Sequence, residues 1–245
     1  MYYFASDMHL GSGAHHDPAE RERAVMAWLD RVAPTAKAIF LVGDVFDFWY
    51  EYKRVVPQGF TRLLGKLSEL TDRGVEVHFF VGNHDMWQRD YLERECGVKV
   101  HFEREVLELH GKRVSICHGD DIYARYLGGW TKLMNDIFRS PVARWLFSHF
   151  VHPDFAMRFG LGWSRGSRKS KEVAMPFLGK EDPLVKEAER LNRAGEGVDY
   201  FVFGHNHCAE RVALESGGEA LFLGHWFEGE VFASLDENGT MTLQK

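Results

Sequence analysis

The sequence predicts an α/β domain carrying a helical insertion. Three observations lead there. Short apolar, β-rich runs recur along the chain, and amphipathic helical patterns fill the gaps between the early ones. From about residue 121 to 195 that alternation stops and only helical patterns continue. Strand–helix–strand alternation marks an α/β fold. At 245 residues, the whole of 1–245 reads as one domain with a well-buried core, capped by the insertion at about 121–195.

The first run, YYFAS, leads into Asp7-Met8-His9. AERERAVMAWLDRVA (19–33) then sets Val25, Trp28, Leu29 and Val32 on one helical face. AIFLV (38–42) runs into Gly43-Asp44-Val45-Phe46-Asp47. FTRLLGKLSELTDRG (60–74) aligns Leu63, Leu64, Leu67 and Leu70 and closes on Gly74, a helix C-cap signal. VEVHFFV (75–81) leads to Gly82-Asn83-His84-Asp85, and RVSIC (113–117) to His118-Gly119-Asp120. The insertion follows, helical and expected to break at Pro141, at Pro153 and at the glycines from 160 to 166. The core resumes at DYFVF (199–203), followed by Gly204-His205-Asn206-His207, and then ALFL (220–223).

Composition narrows the class. A formal net charge of −6 argues against bulk nucleic-acid binding. Cys96, Cys117 and Cys208 lie far apart, as in a reducing compartment without a disulfide framework. MYYFASDMHL has no signal-peptide pattern, and no uncharged apolar run is long enough to span a bilayer. A cytoplasmic protein is expected, resting at most on a membrane surface.

Five β-rich runs thus end in Asp, Asn or His, mostly beside a glycine. In α/β sheets, sites gather at the carboxyl ends of strands. Glycine there lets the backbone turn sharply and approach a ligand. His205 and His207, two apart in an extended segment, point to one side. Alone, they could serve one metal, two metals or none. Carboxylate, amide oxygen and imidazole without thiolate favour Mn, Fe, Zn or Mg-type centres. More such groups gather here than one ion can take. The number suits two ions roughly 3.5–4 Å apart, which can clamp both oxygens of a phosphoryl displacement.

The order DxH, GDxxD, GNHD, HGD and GHxH resembles that of the calcineurin-like metallophosphoesterases. The resemblance implies a two-sheet β-sandwich flanked by helices. It makes Asp7, His9 and His207 ligands of the first divalent ion, and Asn83, His118 and His205 ligands of the second. Asp44 would bridge them, and His84 would face the leaving group as general acid or transition-state stabiliser, oriented by Asp47. Manganese is the metal the resemblance favours.

The insertion bears on the substrate. WSRGSRKSKE concentrates Arg165, Arg168, Lys169 and Lys171 among Ser164, Ser167 and Ser170, a mixture suited to phosphate oxygens. A solvated face is the alternative. Upstream, ARWLFSHFVHPDFAMRFGLGW is rich in Trp, Phe and Leu. It would form an apolar groove, a surface dipping into a membrane, or the inner face of a helical hairpin. A phosphate grip beside an apolar cap resembles the UDP-2,3-diacylglucosamine hydrolases of lipid A synthesis, as do the chain length and the GxW motif at Gly224 and Trp226. That likeness implies a lipid-linked nucleotide substrate, bound through Asn83, Asp120, Ser164, Arg165, Ser167, Arg168 and Lys169. It also implies peripheral contact with the cytoplasmic face of the inner membrane; neither a nucleic-acid nor a protein partner is expected. Many of those hydrolases carry arginine where this chain has His84. The alternative is a general phosphodiesterase or phosphatase for a nucleotide or other soluble phosphoester. Asp120 and Asp121 also suit a helix start, His15, His16 and His225 read as surface residues, with a place near the site as the alternative, and Cys117 reads as core.

Overall fold

The computed structural model describes residues 1–13, 17–174 and 177–245, without the side chains of 165 and 167–174. His15 and His16 lie outside the described residues.

Two sheets pack face to face. In the first, β1 (Tyr2–Ala5), β2 (Ala38–Val42), β3 (Glu76–Phe80) and β4 (Lys99–His101) run parallel. Antiparallel β10 (Phe232–Leu235) and β11 (Met241–Gln244) extend the β1 side, giving the order β11-β10-β1-β2-β3-β4. In the second, β5 (Glu105–Leu109), β6 (Lys112–Cys117), β7 (Tyr200–Phe203), β8 (Ala209–Ala213) and β9 (Glu219–Leu223) take the order β5-β6-β7-β9-β8. Strands β6, β7 and β9 are parallel to one another.

AIFLV of β2 is buried throughout because both faces of its sheet are covered. Alternation decides which side each residue serves. Ile39 and Leu41 pack against Val25, Trp28 and Leu29 of α1 (Pro18–Val32) and Leu63 and Leu67 of α2 (Thr61–Asp72). Phe40 and Val42 meet Ile116, Val202 and Leu221 of the second sheet. A third cluster covers that sheet's outer face, where Cys117, Phe201, Phe203 and Phe222 pack against α4 (Asp120–Leu127) and α8 (Pro183–Arg193).

Helices α4 and α8 therefore belong to the body of the fold. What rises from it is α5 (Gly129–Arg139), α6 (Pro141–Phe150) and α7 (Pro153–Ala174). Pro141 and Pro153 open α6 and α7, where a missing N–H costs nothing. The expected break at 160–166 does not occur, because those glycines lie inside α7. Gly160 permits close contact instead: a Cβ there would sit 2.2 Å from the Phe48 ring. Side-chain bonds to main-chain carbonyls tie the cap down, from Tyr50 to Arg144, Tyr52 to Val151 and Trp87 to Phe138.

Candidate metal centre

The five polar loops leave the carboxyl ends of β1, β2, β3, β6 and β7, and they converge. Their backbone is unusual. Asp7, His9, Asp44, His205 and His207 have φ of 52°, 44°, 52°, 65° and 54°. Left-handed backbone costs a non-glycine residue about 1–2 kcal/mol, and it persists where surrounding contacts enforce it. Here the strain aims side chains inward. Glycine serves the same crowding: a Cβ on Gly82 would fall 2.2 Å from Asp44 Oδ1, and one on Gly204 would fall 2.1 Å from Ser6 Oγ.

Each anchored group presents its other atom to a common space. Asp7 Oδ2 accepts from the His205 N–H at 3.0 Å, with Ser6 Oγ 2.6 Å away. Its Oδ1 lies 3.1 Å from His207 Nε2 and 3.7 Å from His9 Nε2. Asp44 Oδ1 accepts from the His84 N–H at 2.9 Å. Asp44 Oδ2 lies 3.3 Å from His118 Nε2 and 3.8 Å from Nε2 of both His9 and His84. His118 Nδ1 donates to the Val42 carbonyl at 2.9 Å, and His84 Nδ1 to that of Asp47 at 2.9 Å. A carbonyl only accepts, so Nδ1 carries a proton in both rings, and Nε2 is the nitrogen turned toward the cluster. His205 reaches the cluster through its ring, 5.2 Å from that of His118.

This set fits divalent cations. Asp7 Oδ1, Asp44 Oδ2, Asn83 Oδ1 and His118 Nε2 are buried without hydrogen-bond partners. Such orphaned atoms are costly unless something binds them. Ligand atoms about 2.1 Å from one ion sit roughly 3.0–3.4 Å apart at tetrahedral or octahedral angles. The Asp7–His207 and Asp44–His118 separations of 3.1 and 3.3 Å fall in that range. Asp7, His9 and His207 form one candidate group and Asp7, Asp44 and His118 another, with a third made by His9, Asp44 and His84. The electrostatics agree. Burial alone would raise the carboxyls of Asp7 and Asp44, yet the surrounding imidazoles hold both well below the usual range. Burial opposes charge on His118, but Asp44 and Asp7 push its pKa up to about 10. The carboxylates thus favour positive charge where a bound ion would lie.

The calcineurin-like phosphoesterase family model matches residues 2–209. The chain belongs to that family. Over 246 aligned residues it is 42% identical to the UDP-2,3-diacylglucosamine hydrolase of Porphyromonas gingivalis, covering 96% of this chain and 93% of the relative. The hydrolases of that name from Stenotrophomonas maltophilia and Pseudomonas putida are each 27% identical, with 96% and 98% of this chain and 95% and 96% of theirs covered. Family membership brings divalent metal ions to this cluster.

Other sequence-predicted residues of this phosphoesterase lie around the cluster. Asp47 touches His84 through its main-chain carbonyl, whereas its carboxylate accepts from Ser164 Oγ at 2.7 Å and lies 3.6 Å from His9 Nδ1. Ser164, expected at the substrate, is a buried strut from α7 to the Asp47 loop. Asp120 pairs with Arg139 at 2.7 Å. The side chains of Arg165, Ser167, Arg168 and Lys169 lie outside those described. His225 stands beside the site, its ring 5.5 Å from that of His207, the second of the two places its sequence position allowed. Cys117 is core, as expected.

Other supports carried no sequence-level assignment. Arg21 is buried, donates to the His9 carbonyl at 3.0 Å and covers the Phe227 ring, which stacks on His9. Asp182, buried at the start of α8, accepts from Asn206 at 2.8 Å and from Tyr123. The Trp226 N–H donates to the Asp7 carbonyl at 3.2 Å, so the GxW loop buttresses the first ligand. Asp85 binds the Gly82, Val45 and Phe46 N–H groups at 2.7, 2.8 and 3.3 Å, stitching the β2 and β3 loops together. Burial and the Asp44 charge push its pKa up to about 7, with the Gly82 N–H pulling the other way. Asp85→Ala would orphan three buried donors. Urea denaturation of the metal-loaded protein should show a loss of about 3 kcal/mol or more; a loss below about 1 kcal/mol would mean those donors find other partners.

Proposed function

We propose that the enzyme hydrolyses the diphosphate of UDP-2,3-diacylglucosamine, giving UMP and 2,3-diacylglucosamine 1-phosphate. One observation carries the lipid part of this reading. A narrow apolar slot of about 40 Å³ opens between cap and body, where Trp87, Phe138, Phe159 and Trp163 stand beside Asn83 and His84. A sugar-linked acyl chain would enter there, its first carbons seated and the rest lying along the exposed faces of Phe159 and Trp163. The similarity to hydrolases of that name over nearly the whole chain supports the same substrate.

In this reading Asp7, His9 and His207 would hold one ion and Asn83, His118 and His205 the other, with Asp44 shared between them; manganese is the proposed metal. Such a centre supplies a water acidic enough to attack at neutral pH, together with charge on the phosphoryl oxygens. His84, positioned by the Asp47 carbonyl, faces the departing lipid phosphate. The Ser164–Asp47 bond ties this loop to the cap that holds the lipid.

The test is hydrolysis by the manganese-loaded protein in ¹⁸O-enriched water, read by phosphorus NMR, beside bis-p-nitrophenyl phosphate. UMP carrying the label, formed far faster than the diester is cleaved, is the expected result. Diester cleavage without lipid turnover would overturn the lipid assignment and leave a phosphoesterase of soluble esters.

Peripheral membrane contact belongs to the same proposal. No helix among the described residues is long and apolar enough to cross a membrane. Helices α5 and α6 have no buried residue, and Trp130 and Phe150 are 72% and 77% exposed. Exposed apolar patches of this kind mark interaction surfaces, and a substrate held in a bilayer needs one at the interface. The double change Trp130→Ser and Phe150→Ser should lower sedimentation with anionic lipid vesicles at least about fivefold; undiminished sedimentation would remove the cap from membrane contact.

A further inference from the structure

A second cavity, of about 500 Å³, borders the metal cluster at His118. Its wall includes His118 and Asp120, immediately after β6, whereas Asn83 and His84 line the apolar slot. The end of α5 divides the two spaces, with Phe138 facing the slot and Arg139 the cavity. Asp44 stands between them, one oxygen bound by the His84 N–H and the other 3.3 Å from His118 Nε2. A diphosphate on this centre would therefore send its two substituents into separate spaces, one apolar and narrow, the other wide with a mixed, ion-paired wall.

The lining decides what the larger space can hold. It contains four arginines, Arg104, Arg125, Arg139 and Arg190, and four carboxylates, Glu103, Asp120, Asp121 and Glu187, so formal charges cancel. The guanidinium groups are held in place: Arg104 grips Glu196 through two bonds of 2.8 and 2.9 Å, and Arg139 bonds Asp120 at 2.7 Å. A guanidinium has five N–H donors, so donors remain after those bonds, beside fixed carboxylate acceptors. An acyl chain here would strip water from these ion pairs, a larger cost than contact with Val81, Ile122, Leu191 and Phe201 in the apolar part of the wall returns. A further phosphate would meet four carboxylates. A neutral ring with both donors and acceptors matches the wall, and the volume suits a nucleoside. Phe102, 43% exposed, offers a face on which a base can stack.

We propose that this cavity is the nucleoside subsite, with the ribose nearer His118 and Asp120 and the base between Phe102 and Arg104. The inference rests on the lipid-nucleotide reading above and gives Asp120 its place in it. Calorimetric titration of the manganese-loaded protein with UMP, ribose 5-phosphate and inorganic phosphate tests it. UMP should bind at least about tenfold more tightly than ribose 5-phosphate. Phe102→Ala and Arg104→Ala should each shrink that margin to about threefold or less. Because Phe102 is exposed on a loop, its loss spares the core, and circular dichroism checks both variants. Equal binding of UMP and ribose 5-phosphate by the natural protein would overturn the inference, as would a full margin in both variants. The two readings fail separately: UMP preference without lipid hydrolysis discards only the lipid, and lipid hydrolysis without UMP preference discards only the subsite.

Discussion

Replacing Asp44 with alanine is expected to empty the centre of metal and to lower turnover of any phosphoester by about 10³-fold or more. The carboxylate is the point where the two halves of the cluster meet. Its Oδ2 lies 3.3 to 3.8 Å from three imidazoles carried by the β1, β3 and β6 loops. Without it, His9, His84 and His118 would surround a site with no anion at its centre, and the remaining charge on Asp7 lies nearer His207. Loss of several kcal/mol of charge stabilisation corresponds to that rate effect at 1.36 kcal/mol per factor of ten. The measurement is metal content after gel filtration, together with bis-p-nitrophenyl phosphate turnover. Asp44→Asn separates charge from shape, since the amide oxygen can still accept the His84 N–H. It should bind metal weakly and recover part of the rate in excess manganese. Two equivalents of metal retained by Asp44→Ala would show that Asp44 does not bridge.

The residues around this carboxylate were legible in the sequence because each follows the end of an apolar run, with a glycine beside Asp44 and His118. Asp7, Asp44 and His118 share that position and converge in space. The second tier was not legible, because its partners are distant in sequence. Ser164 reaches Asp47 across 117 residues, and Asp182 reaches Asn206 from the far end of the insertion. Asp85 was visible beside His84, yet its three backbone donors exist only once the β2 and β3 loops are paired. Arg21 reads as one polar residue on an amphipathic helix; only the folded loop puts the His9 carbonyl above it. The five missed strands have local causes. β4, β5, β8 and β11 are the edges of the two sheets, β4 with only three residues and β8 reading AERVA, and β10 is buried but only four residues long. The glycines of α7 illustrate the opposite failure. Glycine signals a break when read locally, but Gly160 is there because Phe48 comes close.

His84→Ala should leave two metals bound and still cut turnover by about 10²-fold or more, within the usual range for a lost general acid. The ring is oriented by its Nδ1–H bond to the Asp47 carbonyl, which turns Nε2 toward Asp44 Oδ2 at 3.8 Å. In the protonated ring that nitrogen carries the N–H an oxyanion leaving group needs. The same geometry admits a rival, since His9, Asp44 and His84 also form a candidate metal group. Metal content separates them: loss of one equivalent would make His84 a ligand. If both ions stay, leaving-group dependence identifies the role. An acid matters more as the leaving group becomes more basic, so the variant's loss on a phenyl diester should exceed its loss on the p-nitrophenyl diester. Equal losses would make the imidazole a fixed donor to the transition state that gives up no proton. His84→Gln sharpens the distinction, because an amide N–H can donate a hydrogen bond and cannot transfer its proton. Recovery by glutamine on the nitrophenyl ester alone would therefore assign proton transfer to His84.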